Sequence, residues 1–345
     1  MSTADADVTV PDTPGPDGQP AERTTGDLRT GDLTAGDLAT GDLATGELTV
    51  GRVARVGDIE VRRLLPLRRR RSVGAWCFVD HYGPTSVDGV AGMQVPPHPH
   101  IGLQTVTWLL DGNVLHRDSL GSEQMIQPGQ LNLMTAGRGI AHAEESPSEH
   151  EPWLHGVQLW LALPGAQRQV APAFEHHPEL PAAGLAGFKI TVFAGSLAGV
   201  RSPATVFSPV VGAQLRAGRD TRGQLGLEPG YEHVIFMAAG TAEADGTTLA
   251  PGSLLYLPTG RDQVTLAAAA DAELFLLGGE PLDQPVVMWW NFVGTTPQDI
   301  IDAARDWGHG ERFGQVTGYH GPPLPAPPLD AVRLRGSAGR PRGGP

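Results

Sequence analysis

Lysine is all but missing from this chain of 345 residues: of 25 basic side chains only Lys189 is a lysine, and the rest are arginines. Cysteine is as scarce. Cys77 stands alone, which excludes an intrachain disulfide and fits a reducing, cytoplasmic setting. No apolar run approaches the roughly 18 residues a membrane-spanning helix needs. The first residues lack the basic and apolar stretches that direct secretion. No membrane role is therefore expected. Basic patches are rare too: against a formal net charge of -13, the one basic run is Arg68-Arg69-Arg70-Arg71. Direct nucleic-acid binding is not expected from such a balance. That run reads as a solvated strand or edge face, or else as a contact for a polyanion or a partner protein.

The negative charge is concentrated. Residues 1–50 hold ten acidic side chains against two arginines, and GDL recurs at 26, 31, 36 and 41 with GEL at 46. A period of five matches neither helix nor strand, and the segment has no aromatic residue with which to build a core. Residues 1–48 are expected to be a disordered, low-complexity acidic tail.

From Leu48 onward the chain changes to short apolar runs broken by Gly, Pro, Asp and Asn. Examples are VTWLLDG (106–112), QLNLM (130–134), GVQLWLALP (156–164), FKITVFAG (188–195), HVIFMAAG (233–240) and SLLYLP (253–258). Many short strands between turn signals predict an all-β sandwich or barrel. VTWLLDG followed by QPGQLNLM is echoed by HVIFMAAG followed by APGSLLYLP, which points to two similar β-domains in tandem, joined within 165–185. One helix is expected near the end: Thr296 as cap, Pro297 at its first position, Asp299 as the capping-box acid, and Ile300, Ile301, Ala304 and Trp307 on one face, stopping at Gly308. Beyond about residue 318 a Pro/Gly-rich tail is expected to lie against the fold or in solvent, although PPLPAPP could present a polyproline surface.

The chemistry is expected in two stretches. In VPPHPHIG (95–102), His98 and His100 stand at i and i+2 and share one face of an extended backbone. In TAGRGIAHAEESP (135–147), His142 and Glu144 do the same. A lone His-x-His is mostly surface chance, but two in-phase pairs beside turn sequences point to a metal site formed where two strands lie opposite each other in a barrel. Three imidazoles and a carboxylate suit one divalent metal, notably Fe(II), with Mn, Co, Ni, Cu or Zn also possible. No thiolate is offered, which argues against structural zinc. Four protein ligands on a six-coordinate ion would leave two positions for water, substrate or O₂. By strand parity Gln104 could hydrogen-bond a metal-bound group or be a plain core amide, and Trp108 is a candidate pocket wall. His116 and His155 are candidate partners that orient ligands. His81 is expected to hydrogen-bond locally and Cys77 to be a buried hydrophobe; the other histidines are given to surface or core.

PHPHIGLQTVTWLLDG, PGQLNLMTAGRGIAHAEESP and HGVQLWLALP together resemble the pirin family of two-cupin-domain proteins. GAWCFVDHYGP (74–84) and GGEPLDQPVV (278–287) extend the resemblance, which covers roughly 50–335. It implies two tandem cupin jelly-roll barrels: an N-terminal one over 49–170 with the metal, a C-terminal one over 180–295, then the helix and tail over 296–345. Carried over by motif position, the metal ligands are His98, His100, His142 and Glu144. In the second cupin the corresponding positions fall at Gly226, Glu228 and within QVTLAA, so no ligand set is expected there and its role is structural. Two departures stand out: Gln104 occupies the place of a general cupin glutamate, and WWNFVG (289–294) replaces a family stretch near the end. Some pirins open the heterocycle of quercetin with O₂. For this chain that implies a flavonol-like aromatic substrate, an apolar aromatic-lined pocket, and Glu144 as the catalytic group taking the hydroxyl proton. Other pirins are regulatory proteins, for which the Arg68–Arg71 run and the acidic tail would be the contacts with a protein partner.

Overall fold

A computed structural model of the chain describes residues 46–56 and 59–329. The expected tail lies outside the described residues up to position 45, and its last members, Glu47 and Leu48, belong to a strand. The chain opens with β1 (Glu47–Val50), β2 (Arg52–Val56), β3 (Ile59–Leu65), β4 (Trp76–Ser86), β5 (Gln94–His100) and β6 (Leu103–Asp111). Next come β7 (Val114–Asp118), β8 (Glu123–Ile126), β9 (Leu131–Thr135), β10 (Ile140–Glu145), β11 (Trp153–Ala162) and β12 (Ala173–His177). The second half holds β13 (Ala182–Leu185), β14 (Phe188–Leu197), β15 (Val200–Arg201), β16 (Val210–Ala217), β17 (Thr221–Gly226), β18 (Glu232–Ala239) and β19 (Ala242–Ala244). It continues through β20 (Thr247–Leu249), β21 (Ser253–Leu257), β22 (Gln263–Ala268), β23 (Glu273–Gly279), β24 (Val287–Trp289) and β25 (Phe292–Gly294) to helix α1 (Pro297–Gly308).

The internal echo is a repeat of topology. In the first barrel a sheet containing β9-β6-β11-β4 faces a smaller sheet β5-β10-β7-β8; in the second, β21-β18-β23-β16 faces β17-β22-β19-β20. Each strand of the second set is twelve places further along the chain than its counterpart. The chain is thus all-β, two cupin barrels followed by one short helix.

The ends of the chain break this symmetry. β12 pairs with β9, but the equivalent edge of β21 is taken by β1, from the other end of the chain. β24, the counterpart of β12, forms a hairpin with β25 instead, and Phe292 bridges to Ile101 of the first barrel. The WWNFVG stretch therefore covers the first barrel and is no wall of the second. Helix α1 starts at the expected capping box, Asp299 N donating to Thr296 Oγ1 (3.3 Å) and Thr296 N to Asp299 Oδ2 (3.0 Å). Ile300 and Ala303 bury it against Ile101, Ala141 and Phe292, with Ile301, Ala304 and Trp307 at the margin. The helix ends at Gly308, but the chain turns left-handed only at Gly310 (φ 73°). The proline-rich tail lies on the fold: Leu324 N donates to Pro97 O (2.8 Å), and Trp307 Nε1 donates to Leu324 O (2.9 Å). No helix among the described residues is long and apolar enough to cross a membrane.

A shared core joins the barrels. Trp76, Trp108, Phe193, Phe236 and Phe275 fill it, with Trp108 and Phe193 rings 5.2 Å apart. Trp108 is therefore no wall of the metal pocket. Parity does not carry from β5 to β6, because the chain changes sheets through Gly102, at φ +66°. A Cβ at Gly102 would lie 2.1 Å from Val293 O, so the covering hairpin approaches this closely only over glycine. Past that turn Val106 and Trp108 face the second barrel, and Thr107 faces the first barrel's interior. The second barrel is filled by aliphatic groups, among them Leu225, Val264 and Leu266 on the strands matching β5 and β10. Cys77 is buried, and burial pushes its thiol up to about 12, so it behaves as a small hydrophobe.

Trp76 Nε1 donates to Val211 O (3.0 Å) and Gly278 O (3.1 Å), tying the first barrel to the backbone of the second. Trp76→Ala is expected to cost about 3–5 kcal/mol, the range for removing a fully buried aromatic, measured as a lowered denaturant midpoint.

Candidate metal centre

β5 and β10 are antiparallel neighbours, not strands on opposing walls, and their register sets His142 directly across from His98 and Ile140 across from His100. A bulge between His142 and Glu144 shifts the register there. On its other side β10 pairs with β7, placing Asp118 across from His142 and His116 across from Glu144. The three imidazole rings gather around one point, tilted or edge-on to one another, with centroids 4.3–4.9 Å apart. Possible ligand atoms of His98, His100 and His142 all lie within 4.8 Å of one another, and so do those of His116, His142 and Glu144. His142 joins the two groups, so all four expected ligands belong to one buried cluster, with Glu144 on its flank.

The hydrogen bonds fix which nitrogen carries the proton in two of the rings. His98 Nδ1 is 2.9 Å from Pro96 O and His100 Nδ1 is 3.0 Å from Asn291 O. A carbonyl only accepts, so both rings carry hydrogen on Nδ1 and leave a lone pair on Nε2. His116 Nε2 donates to Asp118 Oδ2 (3.2 Å), and His116 Nδ1 lies 3.5 Å from His142 Nδ1. His142 Nε2 lies 3.0 Å from His100 Nε2, close enough to donate to that lone pair or to share a cation with it. Lone pairs that converge in a dry interior repel one another unless a cation lies among them. The donor set therefore fits a divalent ion, with His116 and Asp118 as the groups that orient His142.

Electrostatics agree with that donor set. Burial holds His98 down to about 4 and His100 and His142 well below the ordinary imidazole value, so the rings stay neutral. Burial also pushes the Glu144 carboxyl up, opposed by His116 and by the Thr107 hydroxyl, which donates to Glu144 Oε1 at 2.6 Å. Burial acts against Asp118 in the same way, but hydrogen bonds from His116 and Ser122 outweigh it and hold its carboxyl low. His100 and His142 are each 1% exposed, against 7% for His98 and 6% for Glu144. The less enclosed side of the cluster is therefore that of His98 and Glu144.

Several neighbours were not singled out by the sequence. Trp160 meets His100 edge-on with centroids 5.2 Å apart, and Phe78 stacks on Trp160 at 4.0 Å. Phe78 is itself held under Arg63, whose guanidinium makes a two-pronged bond to Asp80 (2.8 and 2.7 Å). Phe174 stacks on His116 at 4.4 Å. Asp118 carried a legible signal, since His116-Arg117-Asp118 repeats the i, i+2 spacing of the other two pairs. Asn291 acts through its backbone and carried none. Gln104 is the plain amide, donating to Thr135 Oγ1 and Thr205 O (both 2.9 Å). His155 lies away from the cluster, its Nε2 2.9 Å from that of His81, so His81 bonds across strands and not locally.

Two β-barrels, one with an apolar interior and one with a buried polyhistidine–carboxylate cluster, define a bicupin with a metal-type centre. The chain belongs to the pirin family: it matches the pirin domain over residues 58–161 and the pirin C-terminal cupin domain over 210–314. It is 48% identical over 275 residues to a Pseudomonas aeruginosa protein provisionally named a quercetin 2,3-dioxygenase, a match covering 79% of this chain and 87% of that one. A pirin-like protein of Caulobacter vibrioides is 37% identical, over 79% of this chain and 96% of its own. The crystal structure of a quercetin 2,3-dioxygenase from Acinetobacter baumannii superposes with a TM-score of 0.83 at 39% identity, covering 86% of this chain and 99% of that one.

Two measurements probe the centre. Asp118→Asn takes away the acceptor that orients His116 and is expected to weaken metal affinity about 10–100-fold by titration calorimetry, with the fold retained. In metal-free protein the depressed imidazoles contribute stability that is complete above the unfolded value of 6.5. It is lost as pH falls toward about 4, because only the unfolded chain takes up the protons. Each such ring should cost roughly 1.4 kcal/mol per pH unit over that window. Glu144, held up by burial, acts in the opposite sense: its contribution is lost as pH rises above 4.5. Denaturant midpoints measured from pH 7 to pH 4 should show the net fall.

Proposed function

We propose that this chain is an iron-dependent dioxygenase of the quercetin 2,3-dioxygenase type, acting on a flavonol-like aromatic substrate with O₂. The observation that carries it is the convergence of three buried imidazoles, those of His98, His100 and His142, beside the buried carboxylate of Glu144. His98, His100, His142 and Glu144 would hold the ion, and a divalent metal there would supply Lewis acidity and open positions for substrate and O₂. The protein's share is proton handling and orientation. Glu144 lies on the less enclosed side, its carboxyl already biased toward the protonated form by burial, so it is suited to take the proton of a substrate hydroxyl. Thr107 holds the carboxylate in place while it does so. Trp160 and Phe78, backed by Arg63 and Asp80, offer an aromatic surface beside His100 for a flat ring system. The names of the Pseudomonas and Acinetobacter relatives support the same reading.

One contact favours a second, regulatory reading. His100 reaches the C-terminal segment through Asn291 O, so metal loading could alter the order of α1 and with it the affinity for a protein partner.

Anaerobically iron-loaded protein mixed with quercetin and O₂ separates the two. Loss of flavonol absorbance is expected for the wild type, with at least about a 100-fold lower rate for His142→Ala and for Glu144→Gln. Both variants are expected to bind metal more weakly, since each removes a proposed ligand, with the larger loss for His142→Ala, whose ring belongs to both groups of the cluster. A wild type that binds iron yet leaves quercetin intact would favour the regulatory reading. Turnover indifferent to His142→Ala would remove the proposed site.

A further inference from the structure

Two motifs play no part in the metal centre: the five-residue acidic repeat and the run Arg68–Arg71. They meet at the edge of β21. β1 pairs antiparallel with β21 from Glu47 opposite Tyr256 to Val50 opposite Ser253. This strand is itself a copy of the repeat, since Gly46-Glu47-Leu48-Thr49-Val50 directly follows Gly41-Asp42-Leu43-Ala44-Thr45. The edge it fills is the one that β12 fills on β9 in the first barrel.

The slot selects for the first two positions of the repeat. A Cβ on Gly46 would lie 2.7 Å from Leu255 Cδ1 and 2.8 Å from Tyr256 O, so the first position has to be glycine. At the second position Glu47 Oε2 is 3.3 Å from Arg70 Nη2, and the same guanidinium lies 3.1 Å above the ring of Tyr256. An acid is therefore favoured there, with Arg68, Arg69 and Arg71 adding to the positive field. The copies differ at their fourth and fifth positions. In the occupant those are Thr49, half-buried, and Val50, which is 66% exposed. The constant leucine is not chosen by burial, since Leu48 is 45% exposed.

We propose that the outer edge of β21 is a docking slot for a Gly–acid–Leu unit, and that Gly41–Thr45 of the same chain can occupy it in place of Gly46–Val50. A shift by one whole repeat returns glycine, acid and leucine to the same places, so no side chain changes face, as it would after a slip of one residue. The displaced copy becomes five extra residues of loop before β2, and lengthening a loop costs little. Thr49-Val50 suits a strand better than Ala44-Thr45, so the last copy is the preferred occupant and the one before it a reserve. The N-terminal segment is thereby held by a slot that survives the loss of one occupant.

The test uses the full chain. Gly46→Val blocks the resident copy, and a second variant carries Gly→Val in all five copies (positions 26, 31, 36, 41 and 46). Amide hydrogen exchange is followed over β21, with β9 in the first barrel as a check on the fold. Gly46→Val is expected to keep β21 protection within about threefold of wild type, and the five-copy variant to lose about tenfold or more, with β9 unchanged in both. Equal losses in the two variants would overturn the proposal, as would wild-type protection in the five-copy variant. Sedimentation at two concentrations closes the remaining route. If the protection kept by Gly46→Val depends on concentration-linked association, the occupant comes from a second copy and the same-chain assignment falls.

Discussion

A buried imidazole can bind a cation only if something else takes the proton on its other nitrogen. Three rings in this barrel face that requirement together, and each meets it differently. His98 uses the carbonyl of Pro96 on its own strand, and His100 uses that of Asn291, close to two hundred residues further along. His142 leans on His116, which leans on Asp118. Much of the surrounding architecture follows from those needs. The β24–β25 hairpin must fold back over the first barrel to deliver Asn291, which is why Gly102 has to leave room for Val293 and why α1 packs where it does. Strand β7 must lie beside β10 so that His116 and Asp118 stand across from Glu144 and His142.

The two barrels share a strand order and differ in what they enclose. Where the first holds His98, His100, His142 and Glu144, the second holds Leu225, Val264 and Leu266. A polar interior is costly to desolvate, and the first barrel bears that cost with one wall welded to a large aromatic and aliphatic core. Trp76, Trp108, Phe193, Phe236 and Phe275 belong to both barrels at once. The second barrel packs against the back of the sheet that carries Thr107, Trp160 and Phe78.

Much of this was legible beforehand because it rests on local periodicity. The i, i+2 histidine spacing, the Pro-Gly turns, the echo between VTWLLDG and HVIFMAAG, and the capping box at Thr296 are each set by a few adjacent residues. What failed depended on distant geometry. Trp108 was assigned to the pocket by counting from His100, and the count broke at Gly102, where the chain changes sheets. His155 is a candidate to orient a ligand by its nearness to the motifs in sequence, but a register shift beside it turns it toward His81. Asn291 left no trace at all, because a backbone carbonyl is the same in every residue. The aromatic neighbours lay inside quoted stretches, yet only the fold shows which face of β4 and β11 they share.

The crossed ends have a further consequence. Tandem duplications ordinarily yield modules that can be divided at their linker, each half taking its own parts with it. Here order along the chain and membership in the fold disagree at both extremities: β1 is encoded before the first barrel and completes the second, and Asn291 is encoded after the second and completes the first. A break near residue 180 would leave one product short of the acceptor for His100 and the other short of an edge strand. The two barrels are an indivisible pair, because neither half of the chain holds all of its own parts.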